Sequence, residues 1–571
     1  YQFRTAIGQN IYNQKYSHEG AYTWHQLAEQ LVKEVLGCKE AWPIITKEDV
    51  AELTQYVTDM KFIPGGRYLY YAGRPLKAYN NCYLLKGEED TREEWGSLLK
   101  RASDCLMTGG GIGIDYSVFR SEGTHLKRTG GKASGPIPLM HSVNETGRNV
   151  MQGGSRRSAI YASLNWKHGD ATSFLKMKDW HDMRIGNQLA DGGMPYTVWH
   201  AKQEDFNYHA PLDMTNVSLN YDDAWLFMKD RDKDATFLQN VKQALRTGEP
   251  GFSFNFGTKQ NETLRNACTE VTSADDSDCC NLGSVNMSRI ESIEEFRDVV
   301  TLASKFLTCG TLCADMPFEK VRQIRDKNRR LGLGLMGMHE WLLKRGYSYE
   351  VTPELHNWLW VYREYSKKGA DELCDALHIS RPVAYRAIAP TGTIGMIAGT
   401  TTGIEPLFAV AYKRRYLKGS RQWFSQYVID GTAKTLIEEY GLAPESIDSA
   451  YGMSHDYEKR IKFQADVQDY VDMAISSTIN LPAWGSDENN EDTVEEFAAT
   501  LSRYAAPATA PAAQTGPLPK GVLGALMDGW SASQLFGEVL QQYAGEPLRA
   551  PSGRYRDYIG WLQAQDPVTS E

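Results

Sequence analysis

Three cysteines in this sequence have neighbours suited to radical chemistry. Cys268 lies between Asn266 and Glu270, so one thiol is flanked by a carboxamide and a carboxylate. Cys280 and the distant Cys82 are two further thiols that can act together as a dithiol. A cysteine thiyl abstracts hydrogen reversibly when water and other thiols are kept away from it. These residue types favour a reduction in which Cys268 carries the radical and the dithiol supplies the electrons.

The chemistry of each of these five side chains suits one role in such a reduction. Glu270 can accept the proton of a substrate hydroxyl as a general base, and Asn266 can orient that substrate as a neutral hydrogen-bonding group. Loss of a neighbouring hydroxyl as water then needs a proton and two electrons. Cys82 and Cys280 provide both by becoming a disulfide.

Two other uses of the cysteines are possible. Free cysteine is often buried as a small apolar residue, and adjacent Cys279 and Cys280 could suggest zinc. Structural zinc sites use paired ligands separated by about two to four residues, and no such pair of pairs occurs here. We therefore predict no metal ligands.

Composition indicates a large enzyme with reduced thiols. The 571 residues are 42% hydrophobic and 23% charged, which is enough for a sizeable core in two or three structural units. The formal charge of -10 disfavours binding to a nucleic acid polymer. Nine cysteines without a signal-like amino terminus predict a cytoplasmic protein, and the lack of an apolar run of about 18 residues predicts no membrane span.

The rest of the sequence predicts the elements that position the thiols. Residues 1–60 read mainly as helix, because Trp24, Leu27, Leu31, Val32 and Val35 recur at helical spacing. Short apolar strands then alternate with amphipathic helices, which favours one large α/β unit. We divide the chain into a helical region at 1–60, the α/β unit at 61–504, an Ala/Pro-rich linker at 505–521 and a tail at 522–571.

One glycine-rich segment invites a second interpretation. Residues 332–337, Gly-Leu-Gly-Leu-Met-Gly, fit the GxGxxG pattern of dinucleotide-binding loops. The residues before them are charged and helical in pattern, so no strand leads into the turn as that site requires. We predict that these glycines serve close helix packing instead.

Residues 266–270, together with Cys-Asn-Leu-Gly-Ser at 280–284, resemble the finger loop of ribonucleotide reductases. The resemblance covers about residues 60–485. It implies a ten-stranded α/β barrel of two antiparallel five-stranded halves with the Cys268 loop in its centre, and conversion of ribonucleoside di- or triphosphates to 2′-deoxyribonucleotides. Counting from Cys268 favours Cys279 as the partner of Cys82, whereas the following Asn-Leu-Gly-Ser favours Cys280, which we adopt.

The same resemblance implies where the substrate binds. Residues 389–395 are similar to the loop that holds substrate phosphates in this family, and their amides and hydroxyls suit an anion. The residues implied in phosphate binding are Pro390, Thr391, Gly392, Thr393 and Ile394. Residues 215–220 resemble a further substrate segment, which implies polar contacts from Asn216 and Ser218. The glycines at 109–113 resemble the strand entry after the first helix of the barrel.

Allosteric control by dNTP or ATP effectors is a further implication of the resemblance. Residues 153–159, Gly-Gly-Ser-Arg-Arg-Ser-Ala, resemble the loop between the effector site and the substrate base. Arg156 and Arg157 could also lie on a solvated face. Asp90 matches the aspartate that contacts the effector ribose.

The source of the radical is also inferred from resemblance. Residues 65–82 resemble adenosylcobalamin-dependent members, and the sequence shows neither a glycyl-radical motif nor paired tyrosines near its end. Adenosylcobalamin is therefore the expected cofactor, with a thioredoxin-like or other dithiol reductant and a monomer or homodimer. The family's usual Cys-x-x-Cys tail does not occur, since the last cysteine is Cys374. The alternatives are a catalytic subunit that needs a radical-generating partner, and an inactive nucleotide-binding regulator.

Overall fold

The strands of this protein form one main sheet and several small hairpins. The computed structural model describes residues 2–42, 44–150, 158–205, 207–418 and 422–505. The predicted linker and tail, from residue 506 onward, lie outside the described residues. In chain order, strands β1 to β14 are Phe62–Pro64, Cys82–Lys86, Gly111–Asp115, Ile160–Asn165, Arg184–Leu189, Pro195–Thr197, Thr215–Tyr221, Gly251–Phe254, Leu264–Arg265, Thr272–Ser273, Asp278–Asn286, Leu331–Met336, Ala411–Lys418 and Gln422–Ile429.

Helices precede, separate and follow these strands. In chain order, α1 to α18 are Ala6–Lys15, Trp24–Leu36, Lys47–Thr58, Gly66–Tyr71, Arg92–Met107, Ile137–Asn149, Ala171–Lys176, Val198–Glu204, Asp223–Leu226, Ala235–Thr247, Ile293–Cys313, Glu319–Asn328, Met338–Lys344, Pro353–Leu377, Gly392–Ala398, Gly431–Glu438, Tyr457–Gln468 and Val494–Ala505. Within the described ranges, none of the helices combines the length and the apolar character that crossing a membrane requires.

The main sheet has two groups of parallel strands that meet in opposite directions. Strands β2, β3, β4, β7 and β8 pair in that order, all parallel. Strand β11 pairs antiparallel with β2 and β1, and parallel with β12. Isolated parallel bridges join Leu333 to Arg386 and Ile388 to Ile475. The predicted α/β class is confirmed, with a curled half-barrel sheet, while the closed ten-stranded barrel stays a prediction.

The five parallel strands β2, β3, β4, β7 and β8 form a sheet whose two faces differ in character. Residues such as Ile112, Val217 and Leu219 pack with the helices in one buried cluster. Their neighbours along the strands, including Gly113, Asn216 and Ser218, point the other way because strand side chains alternate. The sheet therefore turns an apolar face to the helices and a small, polar face to its inner side.

The apolar residues at helical spacing in the amino-terminal region lie on α2. Thr23 caps it in a reciprocal capping box with Gln26, which satisfies the free amides of its first turn. All five apolar residues that predicted it are buried, and they share one core with Phe306 of α11 and Leu333 of β12. The amino-terminal helices thus complete the core behind β11 and β12.

The prediction of helix packing by residues 332–337 is wrong in one respect. Residues 331–336 form the buried strand β12, and Gly337 is the N-cap residue before α13, with a φ of 69°. A Cβ on Gly332 would lie 2.9 Å from the Cys280 sulfur, and one on Gly334 would lie 2.7 Å from the Ala387 oxygen. The glycines therefore let strands and side chains approach on the inner face, a use that helical periodicity does not reveal.

Candidate active site

The segment that carries Cys268 is the tip of a short hairpin. Strands β9 and β10 pair Arg265 with Thr272, and residues 266–271 form the loop between them. The Thr269 amide donates to the Asn266 carbonyl at 2.9 Å, and Thr269 has a φ of 69°. A threonine in this left-handed region is strained, so surrounding contacts must hold the tip in place.

Buried Arg265 provides much of that support. Its guanidinium donates to the Thr269 carbonyl at 3.1 Å and to the Asn255 side chain at 2.9 Å. Burial lowers its pKa to about 10. Sequence reasoning missed this residue, because nothing in the pattern shows that a charged side chain next to Asn266 turns inward.

Strand β3 approaches the hairpin without room for a side chain. A Cβ on Gly113 would lie 1.5 Å from the Arg265 oxygen, so only glycine fits this position. On the far side, the Asn216 amide donates to the Ala267 carbonyl at 3.3 Å. The hairpin is thereby fixed against β3 and β7, over the inner face of the sheet.

Cys82 and Cys280 face each other on neighbouring strands. They are directly paired in the antiparallel register of β2 and β11, and both thiols are free. The Asn266 amide donates to the Cys82 sulfur at 3.0 Å and accepts from the Val271 amide at 3.0 Å. The loop is thus bonded directly to one member of the dithiol.

Cys279 points away from this pair. Its sulfur accepts from the Asn80 side chain at 3.5 Å, and it packs in the core under the helices. Cys82 and Cys280 share a separate buried cluster with Val271 of the hairpin. Strand alternation thus places Cys280, and not Cys279, beside Cys82.

Burial and charge keep the dithiol protonated. Burial raises the pKa of Cys82 well above its ordinary value, and the neighbouring Glu270, Cys280 and Cys268 raise it further. Burial also raises the pKa of Cys280, although the nearby Arg330 guanidinium opposes the change. Neutral thiols are the form that can give up a proton and electrons together.

Glu270 and Cys268 complete the group. Glu270 is only 1% exposed, and its main-chain oxygen accepts from the Ala474 amide at 2.8 Å. Cys268 is partly exposed, whereas Cys82 and Cys280 are buried. One accessible thiol therefore lies at the loop tip, with a carboxyl group and two shielded thiols around it.

Arg330 is a second neighbour that the sequence pattern did not identify. Its Nε donates to the Asp278 carboxylate at 3.0 Å, and Asp278 also accepts from Ser273 of the hairpin at 2.7 Å. Both members of this ion pair are buried. The pair therefore connects the start of β12 to the base of the β9–β10 hairpin, beside Cys280.

The predicted phosphate loop leads out of the same cluster. Ala389, its first residue, packs with Cys82 and Cys280. Thr391 has a φ of 50°, and its hydroxyl accepts from the Gly403 amide at 2.8 Å. Gly392 is exposed with open space above it, whereas Thr391 and Ile394 are buried and Pro390 and Thr393 are partly buried. The open part of this turn is therefore at Gly392 and Thr393.

The other predicted substrate and effector residues lie in different parts of the chain. Asn216 and buried Ser218 share the inner face of β7. Asp90 forms an ion pair with Arg120 at 2.5 Å near the surface. Arg156 and Arg157 lie outside the described residues. The structure therefore gathers the catalytic and substrate candidates, and it leaves the effector site as a prediction.

Adenosylcobalamin carries its cobalt in its own ring, so it needs an open approach to the reacting thiol more than a cluster of metal ligands. No group of three or more His, Cys, Asp or Glu side chains in the described ranges could hold a metal ion. The partly exposed Cys268 provides such an approach. The residues around the loop tip fit the cofactor in this respect.

The site thus brings together a hairpin loop that carries one accessible thiol, two facing buried thiols and a sheet with two groups of parallel strands. A sequence model described as the ribonucleotide reductase barrel domain matches residues 80–356 and 381–505. Because the match covers more than half of the sequence, the chain belongs to the ribonucleotide reductase family.

Individual relatives are distant. The chain is 24% identical over 500 residues to a vitamin B12-dependent ribonucleoside-diphosphate reductase of Thermoplasma acidophilum, covering 78% of this chain and 62% of the relative. It is 26% identical over 473 residues to the protein of that name from Mycobacterium tuberculosis, covering 74% and 67%. A ribonucleoside-diphosphate reductase large subunit of Danio rerio is 22% identical over 538 residues, covering 76% and 67%. The chain thus spans about two thirds of the length of these relatives.

Proposed function

We propose that this chain reduces ribonucleotides to 2′-deoxyribonucleotides, with Cys268 as the radical carrier and Cys82 and Cys280 as the dithiol. The observation that supports this most is that the distant Cys82 meets both the finger loop and Cys280. The finger loop reaches Cys82 through Asn266, and Cys82 faces Cys280 across two paired strands. A structural role alone would not need a strained loop tip, a buried carboxyl group and two facing thiols at one point.

The first half of the reaction belongs to the finger loop. A thiyl at Cys268 takes a hydrogen atom from the ribose, and Glu270 accepts the proton of the adjacent hydroxyl. Asn266 holds the loop and the Cys82 thiol in one geometry through its two hydrogen bonds. Asn266 and Glu270 are buried, and a substrate and cofactor bound over the partly exposed Cys268 would keep water and stray reductants away from the radical.

The second half belongs to the dithiol. Cys82, the thiol nearest the loop, gives a proton to the leaving 2′-hydroxyl, which departs as water. Cys82 and Cys280 then supply two electrons and become a disulfide, while the Cys268 thiol returns a hydrogen atom to the ribose. The balance is one ribonucleotide and two thiols in, and one deoxyribonucleotide, one water and one disulfide out.

Adenosylcobalamin is the proposed cofactor, and when bound it supplies the oxidising equivalent that converts the Cys268 thiol to a thiyl. Two of the relatives are named as vitamin B12-dependent. Partly exposed Cys268 is the residue that would face it. Cys82 and Cys280 are buried, so we propose that they react with the substrate and not with the cofactor.

Substrate binding and control are proposed from position. Asn216 and Ser218 line the inner face of β7 beside the loop, and the open turn at Gly392 and Thr393 offers backbone amides to phosphate. Asp90, Arg156 and Arg157 are proposed to bind a dNTP or ATP effector. Closure of the sheet into a ten-stranded barrel through residues 384–388 and 473–477 would surround this site. A thioredoxin-like or other dithiol would reduce the disulfide again.

Turnover of CDP and of CTP tests the proposal, with dithiothreitol as the reductant and with or without adenosylcobalamin. We expect the deoxynucleotide only when the cofactor is present, and we expect none from a Cys268→Ala variant. Turnover that needs no cobalamin would contradict the cofactor assignment. Turnover by the Cys268→Ala variant would contradict the proposed chemistry itself.

A further inference from the structure

Thr269 separates the two side chains of the finger loop that the proposed chemistry uses. Cys268 precedes it and Glu270 follows it, and its φ of 69° turns the chain between them. A β-branched residue in this left-handed region is strained, so the surrounding structure must hold it there. The direction of the thiol relative to the carboxyl group therefore depends on the contacts that hold Thr269.

Both main-chain polar groups of Thr269 are hydrogen-bonded. Its amide donates to the Asn266 carbonyl at 2.9 Å within the loop. Its carbonyl accepts from the Arg265 guanidinium at 3.1 Å. Thr269 is only 2% exposed, so water does not readily replace these two bonds. Arg265 is thus a side chain that restrains the strained residue.

The Arg265 guanidinium is itself fixed to the main sheet. Its Nη2 donates to the Phe254 carbonyl at 3.2 Å and to the Asn255 side chain at 2.9 Å. Its Nε donates to the Ser253 hydroxyl. Ser253 and Phe254 belong to β8, which pairs with β7. Because a guanidinium presents its donors in a rigid planar fork, it joins β8 to Thr269 in one geometry.

The contacts of Arg265 differ from those of a stabilising ion pair. Its four acceptors are neutral oxygen atoms, of one hydroxyl, one side-chain amide and two carbonyls. Burial of a charge among neutral groups costs free energy, and burial lowers the Arg265 pKa to about 10. A gain in stability therefore does not account for this arginine, whereas a restraint on the loop tip does.

We propose, on the basis of the function proposed above, that Arg265 is a positioning residue, which keeps Thr269 in the left-handed conformation and so sets Cys268 and Glu270 for hydrogen and proton transfer. Arg265 acts through the Thr269 carbonyl and not on the reacting atoms. Its loss should therefore slow the chemical step and leave substrate binding nearly unchanged.

Steady-state kinetics with dithiothreitol and adenosylcobalamin test this role. Arg265→Gln should lower kcat at least about 100-fold and keep KM within about threefold, because a displacement of about 1 Å between reacting groups has that effect on the chemical step. Glycine adopts the left-handed region without support, so Thr269→Gly added to Arg265→Gln should raise kcat at least about tenfold. Thr269→Gly alone should stay near wild type. A purely stabilising arginine would not be rescued in this way.

A second measurement does not depend on turnover. Iodoacetamide labels thiols of the full chain, and trypsin releases Cys268 in peptide 266–289, or in peptide 260–289 in Arg265→Gln. Fragmentation locates the label. Release of the loop tip should raise the labelling rate of partly exposed Cys268 at least about threefold. Cys105, which is buried in α5, should stay unlabelled and so report that the chain remains folded.

Two further variants complete the comparison. Asn255→Ala removes one support of the guanidinium and keeps its charge, so it should raise the labelling rate and lower kcat even if Arg265→Gln fails to fold. Arg231→Gln is the matched control, because Arg231 also donates to neutral oxygen atoms, those of Leu226 and Ser502. It should lower stability and change neither kcat nor the labelling of the loop.

The assignment is overturned if folded Arg265→Gln labels Cys268 at the wild-type rate, or if Thr269→Gly restores neither kcat nor the labelling rate. Wild-type labelling of Asn255→Ala overturns it if Arg265→Gln does not fold. Absence of deoxynucleotide from the wild-type chain would contradict the proposed function instead, and the labelling rates would still test the restraint by Arg265.

Discussion

The alternation of side chains along β11 distinguishes Cys280 from Cys279 as the partner of Cys82, a choice on which the signals in the sequence conflict. Cys280 faces Cys82, whereas Cys279 packs under the helices. We predict that Cys280→Ser lowers dithiothreitol-supported turnover to background, because a disulfide with Cys82 can no longer form. The neighbouring Cys279→Ser should keep turnover within about threefold, since a conservative change away from the reacting groups leaves the site in place. Equal loss in both variants would contradict the assignment.

The raised pKa values of Cys82 and Cys280 predict an unusual pH dependence of alkylation. A raised pKa means that less thiolate is present at every pH below it, and only the thiolate reacts readily. The rate of iodoacetamide labelling at Cys82 should therefore rise with a midpoint above that of an ordinary thiol, about 8.5. Peptide mapping across pH 7 to 10 measures it. A midpoint at or below the ordinary value would show that burial does not control this thiol.

At the scale of elements, the contact between β3 and the finger hairpin is the most sensitive feature. A Cβ on Gly113 would overlap the Arg265 oxygen, so Gly113→Ala must shift the hairpin. Displacement of a reacting group by about 1 Å can cost about 100-fold in rate, and we predict at least that loss in turnover. Circular dichroism should show the secondary structure retained.

A second glycine offers a matched control for this substitution. Gly96 lies within α5, and a Cβ there would meet nothing within 4 Å. Gly96→Ala should therefore keep full turnover, with slightly higher stability because alanine favours the helix. If Gly113→Ala turned over as fast as Gly96→Ala, the hairpin would not depend on this contact.

Whole-molecule stability depends on how the amino-terminal segment is attached. Arg4 donates to both oxygens of fully buried Glu340, at 2.8 and 3.0 Å, and to the Gly399 oxygen at the end of α15. Removing one partner of a buried ion pair costs about 3 kcal/mol or more. Arg4→Ala should therefore lower the midpoint of urea unfolding at neutral pH. Arg92→Ala, whose partner Glu93 is mostly exposed, is the control and should change little.

Acid should reduce the difference between Arg4→Ala and wild type. Burial would raise the pKa of Glu340, but Arg4 and Lys344 bring it below its ordinary value. A carboxyl group whose pKa is lower in the folded chain than in the unfolded chain stabilises the fold at pH values above its unfolded-state pKa. This stabilisation is lost as the pH falls through the pKa of the folded state. Unfolding midpoints from pH 7 to pH 3 should therefore converge. A constant difference would mean that the Arg4 contribution is packing and not charge.

The sequence predicted the parts of this molecule that local patterns specify. Helical spacing identified α2, and the Asn-x-Cys-x-Glu motif located the finger loop before any fold was known. Contacts between distant segments were not accessible in this way. The inward turn of Arg265 and the missing side chain at Gly113 have meaning only once β3 and β9 are adjacent. Residues 331–336 alternate leucine and glycine in a buried strand, but the charged, helical pattern of the residues before them led the prediction away from a strand.

The most direct test of the account is a single turnover by pre-reduced chain, freed of reductant, with adenosylcobalamin and a ribonucleotide. We expect about one deoxynucleotide per chain, from the balance of one disulfide formed for each product. Peptides 78–86 and 266–289 should become cross-linked through Cys82 and Cys280 in the same proportion. Deoxynucleotide formed while both of these thiols stay free, or no deoxynucleotide at all, would contradict the account.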